Sequence, residues 1–232
     1  RNALCVGADF GAPDSILALV DNFCWPDPVR SPEKMAALVR ACYGLREAAL
    51  ALSAPLVSGK DSMKNDFHGK RDGQPVSISV PPTLLMTAVA KVSEVRHARS
   101  ADFKAAGDVI YLIGGGQLGL WGSELFSMNP ELPSEARLGE PDWGLARKIY
   151  SWLGRGQGKM QSKLRSLHDL SEGGLLVAIA EGLLARGHGA AIELPHGEGQ
   201  SPWESDFGEG FHSFVASAEP SDANALESEM RE

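Results

Sequence analysis

A mixed architecture, two α/β or α+β domains meeting near residue 100, is predicted by three features of this chain. Apolar runs of strand length alternate with longer amphipathic stretches of helix length in both parts. Composition turns charged across "EVRHARSADFKAAGD", Glu94 to Asp108, which sets the boundary at 1–99 and 100–232. The length of 232 residues suits one large domain or two small ones, each able to bury a core.

The elements follow in order. Ile16 to Val20 is an apolar run ending in Asp21-Asn22, which reads as a buried strand followed by a functional turn. Prolines make Trp25 to Pro32 a loop. Ser31 then caps a helix, with Pro32 in first position and Glu33 and Lys34 in the first turn. It runs to about Leu52, with Met35, Leu38, Val39, Cys42, Leu45, Ala49 and Leu52 on one face. Leu56 to Ser58 reads as a brief strand entering a Gly-Lys-Asp-Ser turn. A charged hairpin-like loop, Phe67 to Gln74, precedes strands at Val76 to Val80 and Thr83 to Val92. In the second part, Val109 to Ile113 is a strand running into a glycine-rich turn. Trp143 to Trp152 and Ser171 to Arg186 read as helices, and Ala191 to Leu194 and Ser213 to Ala216 as strands.

A net charge of −8 argues against a broad basic face for nucleic acid or an anionic membrane. Composition is 43% hydrophobic and 22% charged, ordinary for a soluble globular protein. No apolar run reaches the roughly 18 residues of a membrane span. Cys5, Cys24 and Cys42 fit neither a zinc pattern nor an even disulfide framework, so a reduced, cytoplasmic setting is expected. The chain opens without Met, and "RNALCVGADFG" reads like the last turn of a helix already under way; "DANALESEMRE" ends it as a polar, helix-prone stretch. A piece of a longer polypeptide is the expectation.

Several polar clusters exceed what folding alone requires. In "LHDLSEGGLLVAIAEGL", Leu167 to Leu183, Asp169 and Ser171 stand where a loop becomes a helix. Asp169 suits Mg²⁺, which takes one or two carboxylates plus phosphate oxygens, and Ser171 can donate to a phosphate. The bland alternative makes Ser171 a helix cap and Asp169 a surface turn residue. Gly173 and Gly174 each cost about 1 kcal/mol relative to Ala, and close approach of a ligand or another backbone would explain them. "SGKDSM", Ser58 to Met63, departs from the Walker phosphate loop, because Ala54 stands where the first Gly belongs and Asp61 follows Lys60. Lys60, Asp61 and Ser62 still offer a cation, a carboxylate and a hydroxyl, or else form a polar turn. Asp21-Asn22 places a carboxylate and an amide at a strand terminus, a frequent ligand position, although a simple turn is the commoner outcome. Gly114, Gly116 and Gly119 match a relaxed G-x-G-x-x-G too late in the chain for dinucleotide binding. His68, His97, His188, His196 and His212 form no ligand spacing.

In fixed order, "ALVDNFCWPDP", "PLVSGKDSMKND", "SISVPPTLLMTAVAKVSEVRH", "YLIGGGQLGLWGSEL", "LHDLSEGGLLVAIAEGL" and "DFGEGFHSFV" span nearly the whole chain. Together they resemble the C-terminal half of the synthetase region of the phosphoribosylformylglycinamidine (FGAM) synthase family. More distantly the chain is similar to aminoimidazole ribonucleotide (AIR) synthetase, selenophosphate synthetase, thiamine monophosphate kinase and a hydrogenase maturation factor. The resemblance implies an N-terminal α+β half-barrel domain that closes against the first half of the synthetase, followed by an α/β C-terminal domain. It implies ATP-dependent amidation of formylglycinamide ribonucleotide, with ammonia from a glutaminase domain or subunit. No glutaminase nucleophile is evident, since none of the three cysteines sits in a strand–turn–helix elbow. Two pseudo-equivalent nucleotide sites are implied, one catalytic and one holding ATP or ADP with Mg²⁺ structurally. Carried over by position, Asn2 and Asp169 match metal ligands, Ser171 a nucleotide contact, and Asp21, Gly59, Lys60 and Ser62 nucleotide, metal or substrate contacts. Lysine cannot replace a metal-binding Asn in that turn, so Lys60 is assigned to phosphate and Ser62 to substrate. The rivals are a non-catalytic nucleotide-binding structural half and a stand-alone superfamily kinase or synthetase acting as a homodimer. The fragment alone is expected to be inactive.

Overall fold

The computed structural model describes residues 1–114, 118–132, 139–154, 161–194 and 201–231. Two compact units form: Ile16–Lys91, and a second drawn from Arg1–Ser15 with Val92–Glu232. The first fifteen residues therefore group with Val92–Glu232 and not with Ile16–Lys91. They are held there: the Asp9 carboxylate accepts from Ser93 N at 3.1 Å and Ser93 Oγ at 2.5 Å, and Phe10 N donates to Gly154 O. Their one helix is α1 (Asn2–Cys5).

The unit Ile16–Lys91 holds β1 (Leu17–Cys24), α2 (Pro32–Ala51), β2 (Leu56–Ser62), β3 (Asp66–Arg71), β4 (Gln74–Ser79) and β5 (Thr83–Ala90). β1 lies between β2, parallel to it, and β5, antiparallel to it. α2 starts as expected, with Ser31 Oγ accepting from Lys34 N and Pro32 opening the helix. Two expected turns are strands. β1 does not stop at Asp21-Asn22, because Asn22 is paired with Lys60 on one side and Leu85 on the other. The Gly59–Ser62 stretch continues β2, since ladder pairing with β1 satisfies backbone groups that a turn would leave to water. The loop expected at Phe67 to Gln74 shrinks to Asp72-Gly73, with φ of 52° and 80°, joining β3 and β4. Positive φ at both central residues is what a tight two-residue hairpin requires.

The other unit adds β6 (Val109–Ile113), α3 (Glu124–Met128), α4 (Trp143–Gly154), β7 (Leu164–Asp169), α5 (Gly174–Leu184), α6 (Pro202–Phe207), β8 (Phe214–Ala218) and α7 (Ala223–Met230). Its sheet order is β6-β8-β7, with both pairings antiparallel. Among the described residues this part is thus α+β rather than parallel α/β. Ala191–Leu194 forms no strand; its apolar character is used by Leu194, which packs against the core. That core joins Phe103, Leu170, Leu175, Ala178, Ile179 and Val215.

β8 is buried along its whole length. Successive side chains point to opposite faces. Val215 faces the α5 core, whereas Phe214 packs edge-on against Tyr150 of α4, ring centroids 5.9 Å apart. β7 follows the same register: His168 lies opposite Val215 and Asp169 opposite Phe214. His168 accordingly meets Glu181 of α5 at 2.7 Å, while Asp169 turns to the α1 and α4 side.

Candidate functional site

Asp169 ends β7 and is 9% exposed. Its Oδ2 accepts from Ser171 Oγ at 2.6 Å and lies 4.0 Å from Arg1 Nε. Oδ1 has only longer contacts, to Cys5 Sγ at 3.9 Å and His168 Nδ1 at 3.8 Å. Arg1 is fixed by donating from Nη1 to Leu170 O at 2.5 Å and Gly210 O at 3.0 Å. Burial, then the neighbouring Asp169 carboxylate, push the Cys5 thiol up to about 12.

Ser171 does not cap α5. That position belongs to Gly173, φ 80°, and Ser171 instead orients Asp169. The second glycine has a steric reason: a Cβ on Gly174 would meet Phe207 C and Gly208 O at 2.6 Å. The expected close approach is therefore by another stretch of this chain's backbone. The α5 amide end is also satisfied internally, since Gly173 N donates to Glu209 Oε1 at 2.9 Å. The same oxygen accepts from Glu124 N at 3.0 Å, and the Glu209 backbone bridges Gly119.

Asn2 sits on α1 with its side chain exposed and makes no hydrogen bond to Asp169. Among the described residues, no three His, Cys, Asp or Glu side chains cluster as they would around a metal ion. Asp169 fits a cation that brings phosphate and water oxygens with it, because Mg²⁺ needs only one or two carboxylates. It does not fit a cage built from protein ligands.

The remaining candidates lie in the unit Ile16–Lys91. Asp21 and Gly59 are cross-strand partners on one face, and a Cβ at Gly59 would meet Asp21 Cγ at 2.6 Å. Gly59 therefore makes room for the Asp21 carboxylate. Lys60 and Ser62, paired with Asn22 and Cys24, project from the opposite face by strand alternation. The set is split into Asp21 with Gly59 on one side and Lys60 with Ser62 on the other. Of the glycine-rich turn, Gly116 lies outside the described residues. Gly114 has φ 100°, and a Cβ there would strike the His212 carbonyl and come within 3.1 Å of Ser213 Cα.

Two residues that spacing does not single out belong to the Asp169 neighbourhood. Tyr150 OH and His212 Nδ1 are 2.8 Å apart and buried. His212 starts the approach to β8, where Leu170 N, next to Asp169, donates to Ser213 O. A lone His and a Tyr on an amphipathic helix carry no motif; only the adjacency of "GFHSF" to the Asp169 partner strand links them.

The sequence profile of AIR synthase related protein, C-terminal domain, matches residues 105–232. The chain belongs to that family. It is 31% identical over 229 residues to a phosphoribosylformylglycinamidine synthase subunit PurL of Synechococcus sp. (strain JA-2-3B'a(2-13)), covering 98% of this chain and 28% of the relative. To the PurL subunit of Gloeobacter violaceus it is 35% identical over 184 residues, 78% of this chain and 22% of the relative. The chain thus spans less than a third of these curated relatives. Among solved structures it resembles T. maritima PurL complexed with FGAR, TM-score 0.60 at 17% identity, over 100% of this chain and 35% of that one. It also resembles E. coli HypE, a hydrogenase maturation protein, TM-score 0.56 at 16% identity, over 97% and 66%.

Proposed function

We propose that this chain is the C-terminal half of the synthetase region of an FGAM synthase, a C–N ligase of purine biosynthesis. The whole enzyme would use ATP to phosphorylate the amide oxygen of formylglycinamide ribonucleotide, and ammonia from a glutaminase domain or subunit would displace the phosphate. The observation that carries this reading is full-length likeness to one contiguous segment of PurL subunits, with the family domain at residues 105–232. The two parts, 1–99 and 100–232, would be a half-barrel domain and the family's C-terminal domain, with residues 1–15 packed onto the latter.

Asp169 would hold Mg²⁺ through Oδ1, with Oδ2 kept in place by Ser171. Bound Mg²⁺ would neutralise phosphate charge during transfer. Asn2, exposed on α1, would join only if the site tightens around nucleotide. Asp21, seated over Gly59, and Lys60 with Ser62 would serve a nucleotide or substrate on different faces of their sheet. The partner completing the half-barrel would be the first half of the synthetase. Val57, Leu85 and Val89, 62%, 60% and 56% exposed, support that reading. No described helix is long and apolar enough to cross a membrane.

The test is Asp169→Asn in the full-length parent chain, with Mg²⁺·ADP affinity, turnover and melting measured together. The expected result is affinity weakened about tenfold or more, equivalent to about 1.4 kcal/mol, and turnover lost with an unchanged melting midpoint. Lower melting with near-normal turnover per folded molecule would instead support the structural-half reading.

A further inference from the structure

His212 is 6% exposed, yet its Nε2 is buried without a hydrogen-bond partner among the described residues. An unpaired buried N–H or ring nitrogen gives up its hydration with nothing in return, so each such atom in a native fold calls for a reason. The backbone adds a second oddity. His212 holds φ 61°, a left-handed conformation that a non-glycine residue adopts only under strain. Three aromatic rings surround the imidazole: Trp143 at 5.3 Å, Tyr150 at 5.5 Å and Phe211 at 5.9 Å between centroids. Its orientation is therefore fixed by packing as well as by the Tyr150 bond.

That bond also fixes where the proton sits. Burial pushes the Tyr150 phenol up to about 12, so it stays protonated at neutral pH. The phenolic proton needs an acceptor, and among the described residues its partner is His212 Nδ1. Tyr150 therefore donates to Nδ1, and the neutral imidazole carries its own proton on Nε2. The orphaned atom is a donor, and a donor fixed by packing calls for an oxygen acceptor supplied from outside the fold. Three chain segments bring it to the Asp169 end of the sheet. His212 precedes β8, Leu170 is tied to Ser213, and Gly114 at the end of β6 rests on the His212 carbonyl.

We propose that His212, held by Tyr150 in the Nε2–H tautomer, donates a hydrogen bond to a phosphate oxygen of a nucleotide bound at Asp169. This rests on the nucleotide reading above and adds to it a contact that no motif in the sequence marks. Asp169, through a cation, and His212, directly, would grip the phosphates from two sides of the β7–β8 seam.

The test uses the full-length parent chain labelled with ¹⁵N-histidine. In the free protein the His212 signals should show a protonated Nε2 and an unprotonated Nδ1. Saturation with Mg²⁺·ADP should move the Nε2 and its proton while Nδ1 changes little. In calorimetry His212→Ala should weaken ADP about tenfold, and His212→Gln, whose amide N–H reaches about as far as Nε2, should stay within about threefold of wild type. A protonated Nδ1, unmoved His212 signals under saturating ADP, or equal losses in the Ala and Gln variants would overturn the assignment while leaving nucleotide binding intact. Absence of Mg²⁺·ADP binding by the wild-type chain would overturn both.

Discussion

Gly59 and Asp21 form the tightest of the pairs anticipated as functional. Substituting Gly59→Ala would push a methyl group into the Asp21 carboxylate, with Cγ at 2.6 Å and the strand backbone fixed on one side by pairing. The clashing atoms are the far end of the Asp21 side chain, and turning it off its rotamer costs about 0.5–1.5 kcal/mol. Urea titration should show that loss in Gly59→Ala and show most of it relieved in Asp21→Ala/Gly59→Ala, because the carboxylate is the clashing group. Equal losses in both backgrounds would mean that glycine serves the strand rather than the carboxylate. Cysteine reactivity offers an independent check on the Asp169 environment. Cys5 is buried with its thiol held up to about 12, whereas Cys42 is exposed. The thiolate is the reactive form, so iodoacetamide at pH 8 should label Cys42 and spare Cys5 until the protein is denatured. Asp169 and Ser171 were legible in sequence because a polar pair before Gly-Gly departs from ordinary capping. Tyr150 and His212 were not, because their meeting depends on α4 packing beside the segment that leads into β8.

Among the elements, the longer helices and the apolar strands are legible in the sequence, whereas α3, α6, β3 and β7 are not. α2 declares itself through its Ser31 cap and apolar spacing, and β6 through an uninterrupted apolar run. The first part of β2, Leu56–Ser58, is legible as a strand, but Gly-Lys-Asp-Ser has turn composition and only pairing with β1 makes it the strand's continuation. β7 escaped notice because its interior is partly polar: Ser166 and Ser217 are fully buried and bond each other across the sheet at 2.7 Å. A hydroxyl pair of this sort satisfies itself and leaves no hydrophobic pattern. The β3–β4 hairpin depends on Gly73 at φ 80°, where Ala would cost about 1–2 kcal/mol. Gly73→Ala should lower the melting midpoint by a few degrees and leave the neighbourhood of Asp169 unchanged by amide shifts. The end of α5 is tied by charge: Asp102 accepts from Lys104 Nζ and Arg186 Nε, each at 2.6 Å, and from Ser100 Oγ. Those partners, Lys104 foremost, hold its carboxyl well below the ordinary carboxylate range. A depressed carboxylate stabilises the fold above the unfolded value near 3.8, and the contribution disappears as pH falls through the lower folded value. Asp102→Asn should therefore be less stable than wild type at pH 7, with the gap narrowing below about pH 4.

The molecule as a whole divides its tasks unevenly between its two units. The unit built from both flanks encloses a continuous core behind Asp169. The unit Ile16–Lys91 is a three-stranded sheet and a hairpin whose apolar side chains are largely uncovered. α2 buries no residue fully, and Leu50, Val57, Phe67, Ile78, Leu85 and Val89 are each at least 56% exposed. Both outer strands, β2 and β5, also leave one backbone edge unpaired within this sheet. Open edges beside apolar side chains are templates for association. The 232-residue chain expressed alone should therefore sediment as a concentration-dependent mixture, shifting to larger species as salt weakens repulsion between chains of net charge −8. Introducing Lys at Val57 and Leu85 together should restore a monomer, because charge on an edge blocks edge-to-edge pairing. On the half-barrel proposal, the same double substitution in a chain carrying both proposed halves should prevent them from docking, reducing stability and Mg²⁺·ADP binding together. If the isolated chain proves monomeric at high concentration, and the parent tolerates both lysines without loss, the exposed face is ordinary surface and the half-barrel reading fails.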